Sequence, residues 1–194
     1  MDELYWQGEP DLTELHHAYG LMATDPARAV AKLTDLAERG SLMSMVYLAE
    51  AYKKGTGVNV DAEKADVLYD RAAKGGSVAA LYHVGRGYLD KSQFLKAKEA
   101  FKISADKGYL PSAGQLGRMY AKGIGVLEDV NTGREYLERA SREGYVFAKR
   151  DLAFLLMRGK FGSLARIRGA WLFLVAIKDL FLAIFTDPSR ELLR

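Results

Sequence analysis

Leu110-Pro111-Ser112-Ala113-Gly114-Gln115-Leu116-Gly117-Arg118-Met119-Tyr120-Ala121-Lys122-Gly123-Ile124-Gly125-Val126 reads as an apolar helical stripe, a helix stop and a turn, and its residues return at fixed distances along the chain. Tyr52, Tyr88, Tyr120 and Leu156 form one column, and Gly40, Gly76, Gly108 and Gly144 another, with separations of 36, 32 and 36 in both. Ala37, Ala73, Ala105 and Ser141 keep the same register, as do Ala29, Ala65, Ala97 and Gly133. So do Leu33, Tyr69, Phe101 and Leu137, and the small residues Ala49, Gly85, Gly117 and Ala153. A period of this length with helical patterning marks a solenoid, whose units bury their apolar faces by stacking on their neighbours.

The unit is a helix pair. Met45, Leu48, Ala49 and Tyr52 recur at i, i+3, i+4 and i+7, and Ala65, Leu68, Tyr69 and Ala72 do so again after a loop. That loop, Lys54-Gly55-Thr56-Gly57-Val58-Asn59-Val60-Asp61, ends the first helix on glycines and offers Asp61 as cap of the second. Lys122 to Asp129 repeats it. The middle copy drops four residues here, leaving Leu89-Asp90-Lys91-Ser92, which accounts for its shorter spacing.

Leu116-Gly117-Arg118-Met119-Tyr120-Ala121-Lys122-Gly123-Ile124-Gly125-Val126, followed by Asp129, Tyr136 and Ala140, resembles the Sel1-like repeat, a relative of the tetratricopeptide repeat. The resemblance implies an all-α, right-handed superhelical solenoid of antiparallel helix pairs, with the first helices forming the inner wall. It also implies a protein-binding adaptor or scaffold of the kind found in bacterial signalling, secretion and cell-surface polysaccharide pathways. Copies 41–76 and 110–145 carry it well, 77–109 lacks the glycine loop, 11–40 is degenerate, and a fifth pair keeps only its first helix, 146–159. The expected organisation is therefore a lead-in over 1–10, repeats over 11–163 forming one continuous core, and a long apolar C-terminal helix and tail over 164–194.

Lys and Arg number 28 against 25 Asp and Glu, and the signs alternate through the repeats, so a net charge of +3 gives no footing for nucleic acid. The absence of cysteine excludes a disulfide framework and a cysteine zinc site, and with them the secreted, cysteine-rich branch of Sel1-like proteins. Met1 to Pro10 is acidic where a signal peptide needs a basic start, and Tyr5 and Trp6 read as cover for the first helix. The expected location is the cytoplasm, peripheral on the inner face of the cell membrane.

The column Tyr47, His83, Gln115 and Asp151, with Glu50, Arg86 and Arg118 three residues later, is the candidate lining of a partner groove. His16 and His17 point about 100° apart on a helix and have no third ligand at i+4, so they do not read as a metal site. Acids such as Glu50, Asp61, Asp70, Glu128 and Asp129 recur at repeat spacing, as caps and surface residues rather than as a catalytic pair. The G-x-G turns follow a helix rather than a strand and have no lysine and serine or threonine after them, so no phosphate cradle is expected. The reading is non-enzymatic, with no cofactor. Its alternative is a regulatory or ligand-binding subunit of an enzyme complex, for example in cell-surface polysaccharide synthesis, with Glu50, His83 and Arg118 contacting the ligand.

Beyond Gly159 the pattern breaks. Gly169 falls in the column of Gly133 and Phe173 in that of Leu137, so the last segment begins as a second helix, but Leu180 stands where the stop glycine belongs. Gly169 to Phe185 is apolar nearly all round, broken by Lys178 and Asp179, and Arg158, Lys160, Arg166 and Arg168 precede it in an acid-free stretch. Across a bilayer, the apolar gain and a cost of about 5 to 7 kcal/mol for a central lysine and aspartate nearly cancel. The sequence therefore predicts a docking helix over 164–187. Arg166, Arg168, Trp171, Phe173, Leu174, Ile177, Phe181 and Phe185 would meet a membrane surface, a membrane protein or a second copy of the chain, the alternative being a helix that folds back over its own repeats.

Overall fold

The computed structural model describes residues 9–159 and 161–186, the side chains of 183–186 excepted; Tyr5, Trp6, Lys160 and residues 187–194 lie outside it, as does the Phe185 side chain. Among the described residues ten helices follow one another: α1 (Leu12–Leu21), α2 (Pro26–Glu38), α3 (Leu42–Lys54), α4 (Ala62–Lys74), α5 (Val78–Asp90), α6 (Phe94–Asp106), α7 (Leu110–Lys122), α8 (Val130–Arg142), α9 (Val146–Met157) and α10 (Ser163–Thr186). No strand occurs among the described residues.

Starts and stops follow the local chemistry. Asp11, Asp25, Asp61 and Asp129 each accept a hydrogen bond from the backbone N–H three residues on, at 2.9, 3.2, 2.9 and 3.0 Å. Each satisfies a donor that the first helical turn leaves over, at about 1 kcal/mol apiece. The four stop glycines have φ between 90° and 101°, and nothing crowds Gly40, Gly76 or Gly144, so backbone conformation rather than space requires glycine there. Gly57 differs, because a Cβ there would lie 2.4 Å from the Pro26 carbonyl oxygen. Its missing side chain lets the loop of the second pair sit against the start of α2.

The chain divides between Gln93 and Phe94 into two compact units, α1–α5 and α6–α10. The boundary falls inside the short middle copy, whose link has no glycine loop and instead holds Ser92 at φ 56°. In the first unit each helix packs on the next, around Ala37, Met45, Val46, Ala49, Tyr69 and Ala80. In the second, α6–α10 pack likewise, with Phe101, Leu116, Met119, Leu137 and Leu156 buried and α9 also touching α7. One contact recurs in both: Arg71 Nη2 donates to the Ala37 carbonyl at 3.4 Å, and Arg139 Nη2 to the Ala105 carbonyl at 3.3 Å. These arginines share a column, and each reaches the carbonyl-rich end of the preceding second helix, where a cation is favoured.

The helix α10 begins as a repeat helix. A Cβ on Gly169 would come within 2.9 Å of the Ala153 carbonyl and 3.0 Å of Leu156 Cβ, as one on Gly133 would come within 2.7 Å of Ala121 N. Close approach at small residues thus sets both second helices against their first helices. The α10 helix then continues through Leu180 to 24 residues, against 13 for α8. Asp179 forms an ion pair with Lys149 of α9, so the acid that interrupts the apolar run is neutralised within the fold.

Candidate partner-binding surfaces

In the first unit Glu50 of α3, Tyr69 of α4 and His83 of α5 converge. Tyr69 Oη donates to Glu50 Oε1 at 2.6 Å, His83 Nδ1 lies 3.3 Å from the same oxygen, and the imidazole stacks on the Tyr69 ring at 4.4 Å and 5°. Burial opposes the Glu50 charge, but hydrogen bonds from Lys54 and Tyr69 and the proximity of His83 outweigh it and hold the carboxyl at about 2. Burial holds His83 down at about 4, with Arg86, Lys53 and Lys54 pushing the same way against Glu50. At neutral pH the 3.3 Å contact therefore joins a carboxylate to a neutral imidazole. Burial, then Glu50, pushes the Tyr69 phenol up. All three groups are driven away from neutral pH, whereas an acid–base catalyst is poised near it.

The matching positions of the second unit carry other residues. Arg118 stands in the column of Glu50, Leu137 in that of Tyr69 and Asp151 in that of His83. Leu137 does not reach as far as a tyrosine ring, and an open cleft of about 450 Å³ lies between α7, α8 and α9. Its walls carry Arg118, Lys122, Arg158 and Asp151, over Leu137, Phe154 and Leu155. Asp151 Oδ1 accepts from Arg150 Nε at 3.0 Å and Nη2 at 2.8 Å. Arg118 Nε, sealed from solvent, lies 3.4 Å from Asp151 Oδ2 without an aligned hydrogen bond.

The third surface is the outer face of α10. Leu164, Ile167, Trp171, Leu174 and Phe181 are 59 to 84% exposed, and they fall at successive steps of three or four residues, with Lys178 filling the remaining step. This face is apolar and basic: Arg166, Arg168 and Lys178 are exposed, and the helix's acid, Asp179, is turned to Lys149.

The Sel1 repeat family matches residues 42–77 and 111–145, the two copies with complete glycine loops. A putative sel1-like repeat-containing protein, L21, of Acanthamoeba polyphaga mimivirus is 26% identical over 125 residues, which span 64% of this chain and 23% of that relative. Residues 42–77 and 111–145 are Sel1 repeats. The solved Sel1 repeat protein from Oxalobacter formigenes superposes at a TM-score of 0.75, with 20% identity over 86% of this chain and 72% of that one. The immunity protein Pa5087 from Pseudomonas aeruginosa superposes at 0.66, with 22% identity over 93% of this chain and 74% of that one. At such identities the likeness carries the fold and nothing of those proteins' roles. Sel1 repeats are protein-interaction modules, typically non-catalytic.

Within the repeats, the groove residues read from the sequence separate. Glu50 and His83 meet in the first unit, with the exposed Arg86 near Tyr69, while Arg118 and Asp151 meet in the second. Tyr47 packs on Tyr19 at 4.7 Å, and Gln115 is half-buried on α7. His83 is largely covered by its stack on Tyr69. Of the docking residues, Trp171, Leu174, Ile177 and Phe181 are exposed, but Phe173 is half-buried, 5.1 Å from the Phe154 ring. Phe173 shares the column of Leu137, so it belongs to the packed face of a second helix. Sequence reasoning missed Lys122, Phe154 and Arg158 in the cleft; Lys122 and Arg158 are separated by the repeat spacing, one turn beyond the groove column.

Proposed function

We propose that the protein is a non-enzymatic adaptor that binds a protein partner on its repeats and lays α10 on an anionic membrane surface, facing the cytoplasm. The outer face of α10 carries this reading. Leu164, Ile167, Trp171, Leu174 and Phe181 form an exposed apolar stripe flanked by Arg166, Arg168 and Lys178, as an interfacial helix requires. No helix among the described residues is long and apolar enough to cross a membrane, which favours lying in the interface over spanning. The shifts at Glu50, Tyr69 and His83 weigh against the enzyme-subunit alternative, because none of the three is poised to move a proton near neutral pH.

Each basic residue near an anionic surface contributes about 1 kcal/mol, so three predict roughly a hundredfold preference for vesicles containing phosphatidylserine over neutral ones. Co-sedimentation measures it. Trp171→Asp with Leu174→Asp, both on the exposed face, is expected to abolish sedimentation while leaving the helical content unchanged. A chain that stays in the supernatant with both vesicle types, or a double variant that sediments like the unaltered protein, refutes the reading.

A further inference from the structure

We propose that the cleft between α7, α8 and α9 seats an acidic peptide segment of the protein partner, one that presents a carboxylate side chain beside an aromatic or aliphatic one. This rests on the protein-binding reading above and supplies the chemistry of the partner.

The charge around the cleft is unbalanced. Arg118, Lys122 and Arg158 stand against the single acid Asp151, one of whose oxygens already accepts both donors of Arg150. Neither Lys122 nor Arg158 has a carboxylate partner within 4.0 Å among the described residues, and Arg118 keeps only its unaligned 3.4 Å contact. Cations that converge without counter-charge select an anionic partner, both in steering and in rejecting the wrong one. The floor selects as well. Phe154, half-exposed, lies with Leu137 and Leu155 between those cations, so an occupant that brings only charge leaves the apolar part unused.

At about 450 Å³ the cleft holds a few side chains, and it is open to one side as an extended segment needs. The contrast with the first unit shows how it arises. Where Tyr69 stacks on His83 and bonds Glu50, the corresponding Leu137, Asp151 and Arg118 leave the space free and reverse the sign of the first-helix charge.

The test pans a random peptide display library against the full chain and then measures synthetic representatives by fluorescence anisotropy. Two variants accompany it: Leu137→Tyr, which restores at this position the ring present at Tyr69 and so fills the cleft, and Lys122→Glu with Arg158→Glu. Recovered peptides are expected to be enriched in Asp and Glu next to aromatic or aliphatic residues. Their affinity should fall roughly tenfold or more in both variants, on replacement of their acids by amides, and with added salt. Helical circular dichroism checks folding, and Lys122→Gln with Arg158→Gln replaces the charge reversal if that variant unfolds. The proposal is overturned if no peptide is recovered, if recovered peptides lack acids, or if they bind the Leu137→Tyr protein like the unaltered one. Leu137→Tyr leaves α10 untouched, so its vesicle sedimentation separates failure at the cleft from failure of the docking helix. Peptides that bind elsewhere would sink the cleft and keep the protein-binding role.

Discussion

Acidification from pH 7 to 5 is expected to destabilise the protein through His83. The imidazole titrates near 6.5 in the unfolded chain and at about 4 in the folded one, because burial, helped by Arg86, Lys53 and Lys54, opposes its charge more than Glu50 supports it. Below pH 6.5 the unfolded chain therefore takes up a proton that the folded chain refuses. Stability falls with pH until the folded group titrates in its turn. At about 1.4 kcal/mol per pH unit the full effect is about 3 kcal/mol, of which about 2 kcal/mol is lost by pH 5. The carboxyl of Glu50 acts in a separate window, since its folded value of about 2 against 4.5 removes stability only as pH falls from 4.5 towards 2. Urea unfolding followed by helical circular dichroism at pH 7 and 5 reads the difference. The comparison is His83→Phe, which keeps a ring against Tyr69 and leaves the Lys54 and Tyr69 bonds to Glu50 in place. The pH dependence should shrink from about 2 kcal/mol to a few tenths. An equal pH dependence in the two proteins would refute the reasoning, because the proton would then be taken up elsewhere.

Gly133→Ala should cost about 1 to 3 kcal/mol in the same urea assay, since its Cβ would stand 2.7 Å from Ala121 N and 2.8 Å from Ala121 Cβ; an unchanged midpoint would mean that α7 and α8 do not meet there. Ser92→Gly should stabilise by about 0.5 to 1 kcal/mol, because Ser92 holds φ 56° in the middle link and glycine removes that strain. No gain would show that the link relaxes without cost.

The fold was legible wherever one residue type does one backbone job at every turn of the repeat. Glycine at positive φ, aspartate as cap and a small residue at each close approach are properties of a position, and spacing alone exposes them in Gly144, Asp129 and Gly133. The candidate site was legible only in part. Columns place Glu50, His83, Arg118 and Asp151 on the first helices, but not whether a neighbouring second helix closes over them. That depends on the length of one side chain opposite: Tyr69 reaches Glu50 Oε1, and Leu137 leaves Arg118 beside an open cleft. On α10 the all-round apolar pattern concealed which stripe was packed. The close approach of Gly169, the contact of Phe173 with Phe154 and the pair Lys149–Asp179 fix its rotation.

The column shared by Tyr69 and Leu137 works as a stopper that one copy inserts and another withholds. In a repeat array each unit answers mainly to its neighbours, so such an exchange is confined to one pair and the next. If the cleft seats the proposed segment, its specificity is therefore portable. Placing Glu, Tyr and His at 118, 137 and 151 would seal the second unit in the manner of the first. Trimming Tyr69 to leucine, with Arg at 50 and Asp at 83, would open a new seat in the first unit while the caps, stop glycines and interhelix contacts stayed as they are. A family built this way can acquire or lose a binding site by three substitutions at fixed spacing, without passing through a different fold.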